Sequence, residues 1–267
     1  MKRPSAGWLS RLSSAAGMLV SRDIAVLTNA IAFNFLLCLF PLLLVVAAAS
    51  QQMPGGRRVG TALLLLLDEM IPFGHDAMAQ SLRNLTRMAK GLEIFSFAMI
   101  IWGSSGIFMP VEMALNHAWG GRPHRHFFRS RGLAVVMTVA GGVLALLSVA
   151  LTVAARSYGK ELPALARYGT KASALLMSYM LFFIIYRFVP AAPVGTLVAG
   201  RAALWGGTGW EIAKYLFLIQ LARMNLEAFY GPLAFSVSLV LWAYVSSLAL
   251  VFGALMVPAP GESPARR

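Results

Sequence analysis

Apolar residues in this chain come in runs about as long as a bilayer is thick, and the runs follow one another almost from end to end. Six of them, at 30–50, 94–116, 133–155, 171–189, 201–221 and 233–257, are set apart by stretches richer in charge, Gly or Pro. A helix crosses a hydrocarbon core with roughly 20 consecutive apolar residues. The short alternating segments that mark a membrane β-barrel do not occur. The pattern predicts an all-α membrane protein, a six-transmembrane-helix bundle. No internal repeat is visible, so symmetry lends no support to an inverted-repeat transporter.

Two segments outside these runs also read as helical. Residues 5–24 gather Trp8, Leu12, Ala15, Ala16, Leu19 and Val20 toward one face, interrupted by Arg11 and Arg22. This predicts an amphipathic N-terminal helix lying in the membrane interface and leading into the first span. Arg11 breaks the apolar part, which speaks against a cleaved signal peptide; an organellar transit segment is the weaker alternative for such a Ser- and Arg-containing start. The long loop 51–92 divides at Pro72 into helical stretches 58–71 and 75–90. Leu63, Leu66, Leu67 and Met70 line one apolar face; Met78, Leu82, Leu85 and Met88 line another. The expected organisation is a cytoplasmic amphipathic arm at 1–29, a six-span membrane domain at 30–257 and a disordered tail at 258–267.

Composition agrees with this pattern: 58% of residues are hydrophobic and 12% charged, with a mean hydropathy of +0.71. The net charge of +13 would point to nucleic acid in a soluble protein. Here the basic residues sit mostly between spans, so anionic phospholipids of the bilayer are the expected partner, and no nucleic acid. Lys2, Arg3, Arg11 and Arg22 fall on one side with Arg122, Arg125, Arg129, Arg131, Arg266 and Arg267. Arg57, Arg58, Arg83, Arg87, Lys90, Arg156, Lys160, Arg167 and Lys171 fall on the other. The bias is narrow and favours both ends in the cytoplasm. The single cysteine, Cys38, lies inside the first run, so no intramolecular disulfide forms.

Charge inside a span is the strongest sign of specific chemistry. The fifth run carries Glu211 near its middle and Lys214 one turn on, on the same face. Each charge costs roughly 2.5–3.5 kcal/mol at mid-membrane. The Leu, Ile and Phe residues between Leu204 and Leu221 return only ~2–4 kcal/mol on the same scale. This face must therefore avoid lipid, and Gly206, Gly207 and Gly209 let a neighbouring backbone come close. Two readings stay open: an ion pair that fixes helix packing, and a substrate or ion pathway. In the second run Ser105, Glu112, Asn116 and Trp119 share a face, and Pro110 frees a backbone carbonyl. Glu112 is near the span end, where the plain reading is a carboxylate reaching headgroup water. In the first run Asn34, Cys38 and Pro41 align; Pro41 is expected to kink the helix and Asn34 to hydrogen-bond a neighbouring one. Tyr179 and Tyr186 in the fourth run read as ordinary interfacial anchors.

Enzyme signals are thin. The chain has no P-loop, no His-Glu-x-x-His and no Gly-x-Ser-x-Gly. Asp68, Glu69, His75 and Asp76, or His124 and His126, carry metal-binding chemistry in principle, but no spacing fixes their geometry. No catalytic residue, metal or cofactor is expected.

Several blocks carry a resemblance. They are Ala30 through Leu44 with Phe40-Pro41-Leu42 toward its end, Ala114-Leu115-Asn116-His117-Ala118-Trp119, Tyr186-Arg187-Phe188-Val189-Pro190, and Trp210-Glu211-x-x-Lys214. Tyr230-Gly231, Leu241-Trp242-x-Tyr244 and Phe252-Gly253-Ala254 follow. In this order, over roughly 20–257, the chain resembles the YihY/BrkB family of bacterial inner-membrane proteins, once labelled ribonuclease BN. The resemblance implies a multi-pass inner-membrane protein of the cell envelope, and a transport role for a lipid or glycolipid has been proposed for relatives. The old nuclease label finds no acid–base or metal constellation here to support it. The chain departs from the family's pattern at Asn34 (usually Tyr), Ala191 (usually Asn) and Leu255 (usually acidic or amide). The expected function is transport or lipid handling through a polar site at Glu211, Lys214, Glu112, Asn116 and Asn34. The rival is a non-transporting scaffold with a structural ion pair. The sequence leaves the homo-oligomeric state open.

Overall fold

The computed structural model describes residues 8–52, 80, 108–120, 132 and 163–258. The expected third span at 133–155, most of the second, nearly all of loop 51–92 and the tail beyond 258 lie outside the described residues. Among the described residues every regular element is helical. We number the longer helices α1 (Trp8–Leu19), α2 (Arg22–Gln52), α3 (108–118), α4 (Pro163–Phe188), α5 (Thr196–Met224) and α6 (Ala234–Leu255).

α2, α4 and α5 begin before the apolar stretches that announce them, whereas α6 lies within its own. Asp23 occupies the first turn of α2, where a carboxylate complements the helix dipole, so α2 starts at Arg22 rather than at residue 30. The expected single helix over 5–24 is broken instead. α1 ends at Leu19, and the chain turns through 69° before α2. Pro41 stands inside α2 and removes one backbone donor without ending the helix, which continues to Gln52. α4 opens on Pro163, a residue preshaped for a helix start. α5 stops at Asn225, which adopts the left-handed conformation (φ 41°, ψ 50°) that Asn tolerates at a helix end. A short helix, Leu226–Tyr230, and a 3-10 turn, Gly231–Leu233, then reverse the chain into α6. The turn needs Gly231, whose φ is +52°.

α6 is the hub, packing against α1, α2 and α5, while α4 packs against α5 and reaches α6 through Tyr186. The buried core joins Ile24 and Ile31 of α2, Val111 and Leu115 of α3, and Phe182 and Tyr186 of α4. Trp210 of α5 and Leu239 and Trp242 of α6 complete it. Buried hydroxyls return to their own helix: Thr28 donates to the Ile24 carbonyl, Ser238 to Ala234 and Ser247 to Ala243. That arrangement satisfies them where no water is at hand.

The outward surface is as telling as the core. Leu197, Leu204, Ile212, Leu216 and Ile219 of α5 are all exposed, and their spacing puts them along one helical face. Val26, Phe33 and Leu37 do the same on α2, and Leu176 and Met180 on α4. In water such faces carry charge. On α5 the stripe lies between exposed Arg201 and Arg223, about 33 Å apart along the helix, close to the ~30 Å thickness of a hydrocarbon core. Among the described helices α6 is by itself long and apolar enough to cross a bilayer, and α1 with the first half of α2 passes as one bent unit. α5 has the length, but Glu211 and Lys214 interrupt it.

Candidate functional site

The site is built on the buried face of α5, where it meets the antiparallel α6. Its first part is a close crossing. A Cβ on Gly253 would stand 2.6 Å from the Cα of Gly206 and 2.7 Å from its nitrogen, so the two backbones touch. The Tyr186 hydroxyl from α4 fills the remaining space, and a Cβ on either glycine would overlap it. Gly207 makes room for the Tyr179 ring, 2.6 Å from where its Cβ would be, and Gly209 for the edge of Phe252 at 3.2 Å. The Tyr186 hydroxyl donates to the Leu250 carbonyl at 2.6 Å. Tyr186 is fully buried, which corrects its reading as an interfacial anchor. Its polar end has a backbone partner inside the protein and does not need headgroup water.

The α3 end fastens onto α6 as well. The Trp119 indole N–H donates to the Ala254 carbonyl at 2.8 Å. That carbonyl also accepts from the Val257 N–H at 3.3 Å, so the indole is an additional donor at the end of α6, where residue 258 is Pro and has no N–H. Asn116 accepts from the Ala191 N–H at 3.0 Å, tying α3 to the connection between α4 and α5. Glu112, one turn before Asn116, is 7% exposed. The carboxylate therefore turns into the protein, which corrects the reading that it reaches headgroup water. Pro110 is buried in the same segment.

The second part is the ion pair. Lys214 Nζ lies 3.1 Å from both Oε1 and Oε2 of Glu211. The ammonium also stands 4.4 Å from the Trp210 ring centroid, a cation–π distance. Trp210 is held by its indole N–H, which donates to Ser246 Oγ of α6 at 3.2 Å. Trp242 packs against Trp210 at 5.9 Å and against Phe217 at 5.2 Å. The pair is not sealed: the side chains of Lys214 and Glu211 keep 13% and 17% of their surface. Exposed Ile212, Tyr215 and Leu216 adjoin it in sequence on the outward face.

The two parts are joined by rings. Trp119 meets Tyr186 at 6.1 Å, Tyr186 meets Phe182 at 5.9 Å, and Phe182 meets Trp210 at 6.3 Å. An unbroken aromatic row thus runs from the α3 end to the ion pair. Asn34 does not join this network through its amide: Nδ2 donates to the Ala30 carbonyl of its own helix at 2.8 Å. The expected bond from that nitrogen to a neighbouring helix is replaced by one that satisfies it locally. Tyr230 and Gly231 sit apart from the site, exposed at the α5–α6 reversal. Sequence reasoning missed Tyr186 and Tyr179 as packing partners. The available signal was their seven-residue spacing opposite adjacent glycines.

All-helical architecture, an outward apolar band and charges turned inward define an integral membrane protein. The chain belongs to the family of the virulence factor BrkB, whose family model matches residues 16–259. A relative in Bacillus subtilis (strain 168), named as the ribonuclease-like protein YfkH, is 23% identical over 240 residues. That match covers 84% of this chain and 85% of the relative. A UPF0761 membrane protein of Aeromonas salmonicida (strain A449) is 27% identical over 201 residues, 73% of this chain and 66% of its own. Another, from Ralstonia nicotianae, is 32% identical over 182 residues, 65% of this chain and 40% of its own. No solved structure matches the chain.

Proposed function

We propose that this chain is a six-span protein of the bacterial inner membrane, with both ends cytoplasmic, that moves or handles a lipid or glycolipid through the polar site at Glu211 and Lys214. Basic loops hold anionic phospholipids at the two surfaces. The observation that carries the reading is the position of the pair. It lies about midway between Arg201 and Arg223, next to a lipid-facing stripe, and both side chains remain partly accessible. A charge pair needed for packing alone gains most from complete burial among partners, whereas an intramembrane pair on a pathway must stay reachable. The reading assigns no enzymatic step. Glu211 and Lys214 act as binding charges, and the nuclease-like name of one relative is not carried over.

A second reading has an observation of its own. Both Glu211 oxygens engage Lys214, and this self-satisfied geometry suits a scaffold. Glu211→Asp separates the two. It keeps the charge but withdraws the carboxylate by roughly 1.5 Å, and positioning errors of ~1 Å are costly at functional sites. In proteoliposomes matched for protein, Glu211→Asp and Glu112→Gln are expected to slow lipid exchange between leaflets while keeping folded yield. Normal exchange in both variants at normal abundance would replace the transport reading with the scaffold.

A further inference from the structure

We propose that the Glu211–Lys214 pair receives a zwitterionic phospholipid headgroup of the phosphoethanolamine type, a reading that rests on the lipid-handling function above and names its substrate class. The pair is one cation and one anion with their charged atoms 3.1 Å apart, so the site is neutral as a unit. It lies midway along α5, with the Trp210 ring against the ammonium and Trp242 packed behind that ring, and its two side chains keep only 13% and 17% of their surface. A headgroup of net negative charge brought here would leave one charge uncompensated in a low dielectric, and would face Glu211 as closely as it faced Lys214. A headgroup that is itself one anion and one cation keeps the sum at zero.

The exchange has a simple geometry. Lys214 lets go of Glu211 and takes the phosphate; the headgroup ammonium takes the vacated carboxylate. Two ion pairs then stand where one stood, and no charge is left alone. A primary ammonium fits better than a quaternary one, because it offers N–H donors to Glu211 as Lys214 does. The Trp210 face that carries the Lys214 ammonium, together with Trp242 beside it, provides quadrupole attraction for whichever cation stands over it. Access comes from the side. Ile212, Tyr215 and Leu216 are exposed on the outward apolar face beside the pair, so acyl chains can stay in the bilayer while the headgroup enters. The source is therefore a membrane lipid and not a free headgroup from water.

Native mass spectrometry of the purified full chain, with phosphatidylethanolamine and phosphatidylglycerol added in equal amounts, reads this preference directly. The expected result is about tenfold or greater retention of phosphatidylethanolamine, the scale of one charge-assisted hydrogen bond. Glu211→Gln with Lys214→Gln removes both charges without stranding either, and is expected to abolish the preference. Glu211→Lys with Lys214→Glu keeps a neutral pair and is expected to retain it, since a zwitterion can enter reversed. Equal retention of the two lipids by the natural chain, or persistence of the preference in the double glutamine variant, overturns the proposal. Displacement of the lipid by free phosphoethanolamine at equal concentration would overturn the lipid as source. Leaflet exchange of both lipids at one rate, without preferential binding, sinks this inference and leaves the transport reading in place. Preferential binding with no exchange of any lipid does the reverse.

Discussion

Two stretches of α5, five residues apart, solve opposite problems. At Gly206 the helix meets α6 with backbones touching, and the Tyr186 ring, its hydroxyl bonded to Leu250, fills the crossing with the edge of Phe182 beside it. At Trp210 to Lys214 the same face carries an indole, a carboxylate and an ammonium, and α6 answers with Trp242 and Ser246. Lipid tails are as apolar as leucine, so helices in a bilayer are not driven together by the hydrophobic effect; close packing and hydrogen bonds must hold them. The glycine crossing supplies the first. At the level of the charges the contact is made by large rings instead, Trp210 against Trp242 at 5.9 Å, and the pair beside them stays partly exposed. A rigid contact and an adaptable one are thus neighbours on one helix.

The sharpest break of this comparison is steric. Gly253→Ala places a methyl 2.6 Å from the Gly206 Cα, and backbone cannot swing aside, so α5 and α6 must separate. Overpacking costs typically 1–3 kcal/mol, occasionally more, and here the hydrogen bonds of Trp119 and Tyr186 to α6 are strained with it. We expect the largest fall in thermal midpoint of the detergent-solubilised protein from this variant. Gly200→Ala is the matched control. It lies on the same α5, no atom stands within 4 Å of its new methyl, and no loss is expected. Equal losses at the two glycines would show that the crossing is not the fixed point of the bundle.

The ion pair predicts a different pattern. Glu211→Ala leaves the Lys214 ammonium without its carboxylate, and removing one partner of a buried pair costs roughly 3–5 kcal/mol in soluble proteins. Partial exposure and competition from other polar groups make the cost smaller in a bilayer. Glu211→Ala with Lys214→Ala removes both charges, so the double variant is expected to give a higher folded yield than the single. Equal yields would mean that the two residues act separately.

What the sequence made legible follows the same division. Runs of apolar residues announced α2, α4, α5 and α6, because a bilayer demands length and composition above all. Their ends were misplaced, since Asp23 and Pro163 favour helix starts by dipole and backbone effects that no hydropathy pattern records. The adjacency of Glu211 and Lys214 was legible as well, because three residues on a helix fix a distance. The inward turn of Glu112, the local bond of Asn34 and the burial of Tyr186 depend on which helix lies opposite. One sequence carries no direct statement of that. A seven-residue tyrosine spacing and a Gly-Gly pair were present, but nothing within either segment says that they meet.

The smallest effect is also the most specific. Tyr186→Phe removes one hydroxyl whose acceptor, the Leu250 carbonyl, stands inside α6 with a backbone donor four residues on. Hydrogen bonds between membrane helices average about 0.6 kcal/mol, so the variant alone is expected to shift the midpoint only slightly. Its value lies in combination. The atom nearest to a methyl at Gly206 is the Tyr186 hydroxyl, followed by a ring carbon of Phe182 at 3.1 Å. With the hydroxyl gone, the methyl meets ring carbons of Phe182 and residue 186 at 3.1 and 3.2 Å, which must give by a few tenths of an ångström, and Gly206→Ala should cost less in the Tyr186→Phe background than in the natural chain, by a coupling on the scale of about 0.5–3 kcal/mol for residues in contact. Gly253→Ala should gain less from the same background, because its methyl also meets the Gly206 backbone, which the tyrosine change leaves in place. Additive midpoints for Gly206→Ala with Tyr186→Phe would mean that the tyrosine hydroxyl does not occupy the crossing.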